Sequence, residues 1–129
     1  MSNSTYMKTI IKLEEIALTA VSIYFLYLYN LGLSVWLWIP LFLSPDISML
    51  GYLIDTRVGA FTYNLFHHRG VALVLALAGY FLHTPVLLTI GILLVAHSSF
   101  DRMFNYGLKY ADDFKHTHLG WLPAKTNNR

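Results

Sequence analysis

Cysteine is absent from this chain of 129 residues, and charge is scarce. Without cysteine there is no disulfide, no thiolate metal ligand and no thiol nucleophile to consider. Charged residues make up 12% of the sequence, well below the roughly 25% of a soluble domain. Hydrophobic residues reach 56% and the mean hydropathy is +0.50, a composition that calls for lipid as solvent. Also missing are a phosphate-cradling glycine loop, a nucleophile elbow, an HExxH pair and any run of basic and aromatic residues suited to nucleic acid. Nothing in the chain suggests a kinase, a protease or a DNA-binding protein.

The charges that are present are clustered. The 9 basic and 7 acidic residues fall into Lys8 to Glu15, Asp46 to Arg69 and Asp101 to Arg129. Between these zones lie two uncharged stretches, Ile16 to Pro45 and Gly70 to Phe100, each longer than the ~20 residues that one helix needs to cross a bilayer. Turn residues interrupt both, Asn30-Leu31-Gly32 in the first and His83-Thr84-Pro85 in the second, so each stretch predicts a hairpin of two helices. The expected fold is all-α, a polytopic membrane protein forming a compact bundle of four transmembrane helices arranged as two hairpins. The helices are predicted at 9–29, 33–54, 58–82 and 85–106, with a polar tail over 107–129, all in a single transmembrane domain. Lys8 and Lys12 precede a segment without a small-residue cleavage site, so the first helix is expected to be retained.

Four crossings put the N-terminus, the central connection and the tail on one side, and that side carries every Lys and Arg. The positive-inside rule makes it the cytoplasm. Tyr24, Tyr27, Tyr29, Trp36 and Trp38 gather toward the opposite end of the first hairpin, where amphipathic rings favour the headgroup layer. Small residues at Gly51, Gly59, Ala60, Ala76, Ala78, Gly79 and Gly91 suit close helix approach. Membrane lipids are the expected surroundings, and a four-helix unit of this size could pair as a homodimer.

Ionisable groups at membrane depth cost several kcal/mol unless they pair or line a cavity. Counted from the turns at ~1.5 Å per residue, Asp46, His67, His97 and Asp101 lie ~21, ~22, ~18 and ~24 Å along their helices, in one layer. His97 and Asp101 are four apart and share a helix face. Asp46, His67 or His68, His97 and Asp101 would supply the nitrogen and oxygen ligands that zinc, iron or manganese accept, and bound water could become a nucleophile. The structural alternative is a hydrogen bond between His97 and Asp101, with Asp46 capping or breaking a helix after Pro45. Arg69 and Arg102 could bind phosphate or carboxylate, or could snorkel to headgroups. His116-Thr117-His118 resembles a chelating pair in what is expected to be an exposed loop. Asp55, Arg57, Lys109, Asp112, Asp113 and Lys115 fall where water should solvate them.

Several segments carry a resemblance: Leu13-Glu14-Glu15, Ser44 to Tyr52, Tyr63-Asn64-Leu65-Phe66-His67, Ala96-His97 with Asp101-Arg102, Tyr106 to Tyr110, and Phe114-Lys115 with Thr117-His118-Leu119-Gly120. In this order they resemble the small membrane-protein family described as domain of unknown function 4260, from about Lys12 to Gly120. The resemblance implies a compact four-helix protein of the bacterial inner membrane, with Asp46, Asn64, His67, His97, Asp101, Arg102, Lys109 and His118 as its polar positions. A fainter similarity is to membrane-bound metal-dependent hydrolases, through Pro45-Asp46, His68-Arg69-Gly70 and His97 with Asp101. Those enzymes usually have a second Asp where this chain has Ser48, and a Thr-His pair where it has Ala72-Leu73. The two resemblances select His67 and His68 respectively, about 100° apart around a helix.

These residues predict a metal-dependent membrane hydrolase for a lipid or other amphipathic substrate. Asp46, His67, His97 and Asp101 would surround the metal, Arg102 would hold an anionic head group, and His118 would complete the ligands or shuttle protons. The alternatives are a small proton- or ion-coupled transporter using the same groups as a relay, and a non-catalytic membrane partner whose polar layer sets helix register.

Overall fold

The computed structural model describes residues 2–122, and it is mostly helical. Helix α1, Asn3–Leu28, starts earlier than the expected residue 9 because Ser2 caps it, its Oγ accepting from the Thr5 N–H. It ends at the predicted turn. The Asn30 side chain accepts from the Gly32 N–H and donates to the Tyr27 carbonyl, while Leu31 and Gly32 adopt positive φ.

The second expected helix is two different helices in tandem. Residues Val35–Leu43 form α2, and Ser44–Leu53 continue as a 3₁₀ helix. With three residues per turn, every third side chain eclipses. Pro45, Ser48 and Gly51 face α3, whereas Ile47, Leu50 and Leu53 point outward. Asp46 therefore takes a face of its own, together with Met49 and Tyr52.

The third expected helix is also divided. Helix α3, Thr56–His67, is capped by Asp55, whose carboxylate accepts from the Val58 N–H; α4 is Arg69–Phe81. His68 breaks the run with an extended backbone, and its Nδ1 caps α4 by accepting from the Val71 N–H. After the predicted turn at His83 to Pro85 comes α5, Pro85–Met103. The tail then forms a small antiparallel hairpin, β1 (His116–Thr117) with β2 (Gly120–Trp121). It is more ordered than the exposed loop expected there, because Thr117 is buried and bonds the Gly120 carbonyl.

Helix α5 is the axis of the fold, packing chiefly against α4 and α1, while α3 packs mainly on the 3₁₀ helix. Its buried side includes Thr89, Leu93, Ala96, His97, Ser98 and Ser99. Glycines permit close approaches between these elements. A Cβ on Gly91 would strike the Ala76 backbone, and one on Gly51 would strike the Thr62 side chain. Among the described residues, one continuous helix, Pro85–Met103, is long and apolar enough by itself to cross a bilayer, and α4 is a shorter apolar helix. Large apolar side chains such as Trp36, Phe61, Val74 and Phe81 are nonetheless exposed along the other helices.

Because Gly91 holds α5 against the α4 backbone, Gly91→Val is expected to destabilise the purified protein by about 1–3 kcal/mol through overpacking. Reversible denaturation monitored by helical circular dichroism measures it, and unchanged stability would mean the two helices do not pack in this way.

Candidate metal centre

The 3₁₀ helix, α3 and α5 each deliver polar side chains to one point. Asp46, His67, His97 and Asp101 meet with one ligand atom apiece, all within 4.8 Å of one another. His97 and Asp101 come from successive turns of α5, and Asp46 reaches them because the 3₁₀ register turns it away from the outward-facing Ile47. His67 belongs to the last turn of α3. His68 faces elsewhere, which resolves the pair that sequence reasoning left open.

The second ring nitrogen of each imidazole is already committed. His67 Nδ1 lies 2.8 Å from the Tyr63 carbonyl oxygen, and His97 Nδ1 lies 2.7 Å from that of Phe42. A carbonyl only accepts, so both Nδ1 atoms carry hydrogen. Phe42 is available for a local reason: in 3₁₀ register its carbonyl would accept from residue 45, and Pro45 has no N–H to give.

With Nδ1 protonated, both Nε2 atoms face the two carboxylates. His67 Nε2 is 3.3 Å from Asp46 Oδ1 and 3.3 Å from Asp101 Oδ2; His97 Nε2 is 3.0 and 3.2 Å from the same oxygens. Each nitrogen thus contacts two anionic oxygens, but has room for only one hydrogen. Two states neutralise the group: two imidazoliums against two carboxylates, or two neutral imidazoles and two carboxylates around a divalent cation. Four donors at these spacings would lie ~2.0 Å from a central ion if tetrahedral and ~2.3 Å if coplanar, bracketing zinc's bonds to imidazole and carboxylate. The group could therefore hold a metal ion, with the Nδ1–H to carbonyl bonds fixing both rings as outer-shell partners do in metal sites. The imidazoles are 3% and 1% exposed, whereas Asp46 is 35% exposed and forms the open edge.

A second layer supports the first. The Tyr63 ring stacks on His67 at 3.8 Å, and its hydroxyl lies 3.5 Å from Asp101. Lys109, expected to be solvated, is 5% exposed. Asn64 is the reason, since its amide accepts from the Lys109 N–H at 2.6 Å and donates to the Lys109 carbonyl at 2.8 Å, strapping the tail to α3. The Lys109 ammonium sits over the Phe114 and Tyr63 rings and donates to the Phe114 carbonyl. Burial holds this ammonium below its ordinary pKa, against the opposing pull of Asp101 and Asp46.

Arg102 turns toward α3, its guanidinium 3.5 Å from the His67 carbonyl at the helix end. Arg69 pairs with the buried Glu15 of α1 at 2.8 Å. His118 stands apart from the four-residue group. Its Nδ1 accepts from the Leu108 N–H at 2.7 Å, and burial, together with the Arg102 and Arg69 cations, holds it below its usual pKa. In the tail, His116 pairs with Asp112 instead of chelating with His118. Sequence reasoning gave Tyr63 and Glu15 no site role, although both fall in segments that carry the family resemblance. Tyr63 is four residues before His67, the position whose carbonyl a helical imidazole can reach; Glu15 gives no signal short of knowing that Arg69 lies opposite.

The model of the family described as domain of unknown function (DUF4260) matches residues 8–122. The chain belongs to that family. Its match takes in all four residues of the centre, the Asn64–Lys109 strap and the hairpin. No curated protein and no solved structure matches the chain.

The two adjacent histidines give separable outcomes. His68→Ala should cost roughly 1 kcal/mol as a lost helix cap and leave metal content unchanged. His67→Ala should lower metal affinity by at least about 100-fold, as read by elemental analysis of purified protein. Equal metal loss in both variants would contradict the assignment of His67.

Proposed function

We propose that this protein is a four-pass membrane metalloenzyme, a hydrolase for a lipid or other amphipathic substrate that approaches from the cytoplasmic side. The single observation that carries the reading is the lone-pair geometry: two imidazoles with hydrogen fixed on Nδ1 turn both Nε2 atoms onto the same two carboxylate oxygens. A cation serves all four contacts at once, while two N–H hydrogens must be shared among four.

Length supports the membrane part. Helix α5 spans ~28 Å, α1 ~39 Å, α2 with the 3₁₀ helix ~33 Å and α3 with α4 ~38 Å, each close to or above the ~30 Å of a hydrocarbon core. The division of two passes into paired helices keeps each half too short to count alone. The apolar exposed faces suit acyl chains, and the basic residues favour a cytoplasmic location for both termini.

Zinc, iron or manganese suits the N₂O₂ donor set and would supply a Lewis acid and an activated water. His67 and His97 hold the ring geometry, Asp101 closes the buried side, and Asp46 leaves the edge through which water and substrate can reach the centre. Lys109 adds a cation close enough to feel both carboxylates. A second reading, a metal that only staples the 3₁₀ helix to α3 and α5, draws on the count of four protein donors, which is the number in structural zinc sites.

The test uses purified protein in detergent, with and without chelator, on a panel of amphiphilic esters. Under the enzyme reading, chelation and His97→Gln each lower hydrolysis by about 100-fold or more, and restoring the metal restores the chelated sample. Metal-independent hydrolysis would overturn this reading, and a metal whose removal unfolds a protein without hydrolytic activity would replace it with the staple.

A further inference from the structure

Arg102, Arg69 and His118 form a cluster of hydrogen-bond donors that the metal centre does not use. Arg102 has no carboxylate within salt-bridge distance among the described residues; its guanidinium meets the His67 carbonyl, at the long distance of 3.5 Å. Arg69 uses one nitrogen on Glu15 and leaves the rest of its fork. His118 accepts at Nδ1 from the Leu108 N–H, so in its neutral form the hydrogen is on Nε2, a donor. The three gather where α3 ends: Arg102 reaches the His67 carbonyl, Arg69 follows His67 by two residues, and His118 is held by Leu108, next to the Lys109 that Asn64 straps to α3. Two cations and a donor imidazole against one carboxylate leave a net positive site built for an oxyanion.

The same cluster adjoins an apolar groove. Leu18, one turn beyond Glu15 on α1, and Leu73, one turn beyond Arg69 on α4, line a cleft of about 480 Å³ that continues past Val21, Phe25 and Leu77. Its wall carries almost no polar surface, so a hydrocarbon chain fits there while a charged end reaches the arginines. Basic pockets between membrane helices on the cytoplasmic side are where anionic lipid heads bind.

We propose that Arg102, Arg69 and His118 are a binding subsite for the phosphate head of a lipid whose acyl chain lies in the α1–α4 groove. This rests on the hydrolase reading for its purpose, since it names the substrate class delivered to the Asp46, His67, His97 and Asp101 centre. It does not rest on that reading for its detection, because the subsite should work without metal.

The test is therefore binding to chelator-treated full-length protein in detergent, using short-chain phosphatidic acid, the matching diacylglycerol and inorganic phosphate as probes in calorimetry. Phosphatidic acid is expected to bind at least about ten-fold more tightly than either of the other two. Arg102→Lys, which keeps charge but loses the planar fork, and His118→Gln should each remove most of that preference while helical circular dichroism stays unchanged. Equal binding of phosphatidic acid and diacylglycerol, or full preference in both variants, would overturn the subsite. Inorganic phosphate binding as tightly as the lipid would overturn the groove and with it the lipid assignment. Failure of the hydrolase reading would show instead in metal content and ester hydrolysis, neither of which is read here.

Discussion

The structure turns on two imidazoles whose Nδ1 hydrogens are already given to the carbonyls of Phe42 and Tyr63. Once those hydrogens are placed, everything about the Nε2 atoms is constrained. They face Asp46 and Asp101 at 3.0–3.3 Å, and lone pairs on nitrogen and anionic oxygen at that separation repel unless positive charge lies between them. Either protons or a metal must supply it, and four contacts radiating from two nitrogens match one central cation better than two hydrogens.

That constraint organises the backbone around it. Pro45 withholds an N–H and frees the Phe42 carbonyl, and the 3₁₀ register from Ser44 to Leu53 rotates Asp46 inward while it turns Ile47, Leu50 and Leu53 out. His68 ends α3 directly after His67, so the imidazole sits on a final turn and the exposed carbonyl behind it meets Arg102. The tail is drawn in by Asn64, which bonds both backbone groups of Lys109 and brings an ammonium over Tyr63, itself stacked on His67. Removing one member of such a buried charged group commonly costs 3–5 kcal/mol, so fold and site are coupled in this protein.

The parts legible in the sequence were those set by local chemistry or by counting along an axis. Asn30 to Gly32 and His83 to Pro85 carry turn residues and do turn, and similar distances from those turns place Asp46, His67, His97 and Asp101 near one depth. The rest depended on geometry that such counting misses. Apolar residues at 47, 50 and 53 repeat every three positions, a 3₁₀ signature that reads as ordinary hydrophobicity within an expected α-helix. His67 and His68 could not be separated without the helix break, because a continuous helix turns only one of them inward and gives no reason to choose. Lys109 looked solvated because its burial comes from Asn64, 45 residues earlier, and no periodicity records that bond. Glu15 was hidden for the same reason, its partner Arg69 being 54 residues away.

The proposed centre is a cation bound by two imidazole nitrogens and two carboxylate oxygens. X-ray absorption at the metal edge of protein purified without added metal tests it directly. The expected spectrum has four nitrogen or oxygen scatterers at about 2.0–2.2 Å and the outer-shell pattern of two imidazoles, reduced to one by His97→Gln. A metal-free sample, or a shell of oxygens with no imidazole contribution, would contradict it and leave two imidazoliums paired with two carboxylates.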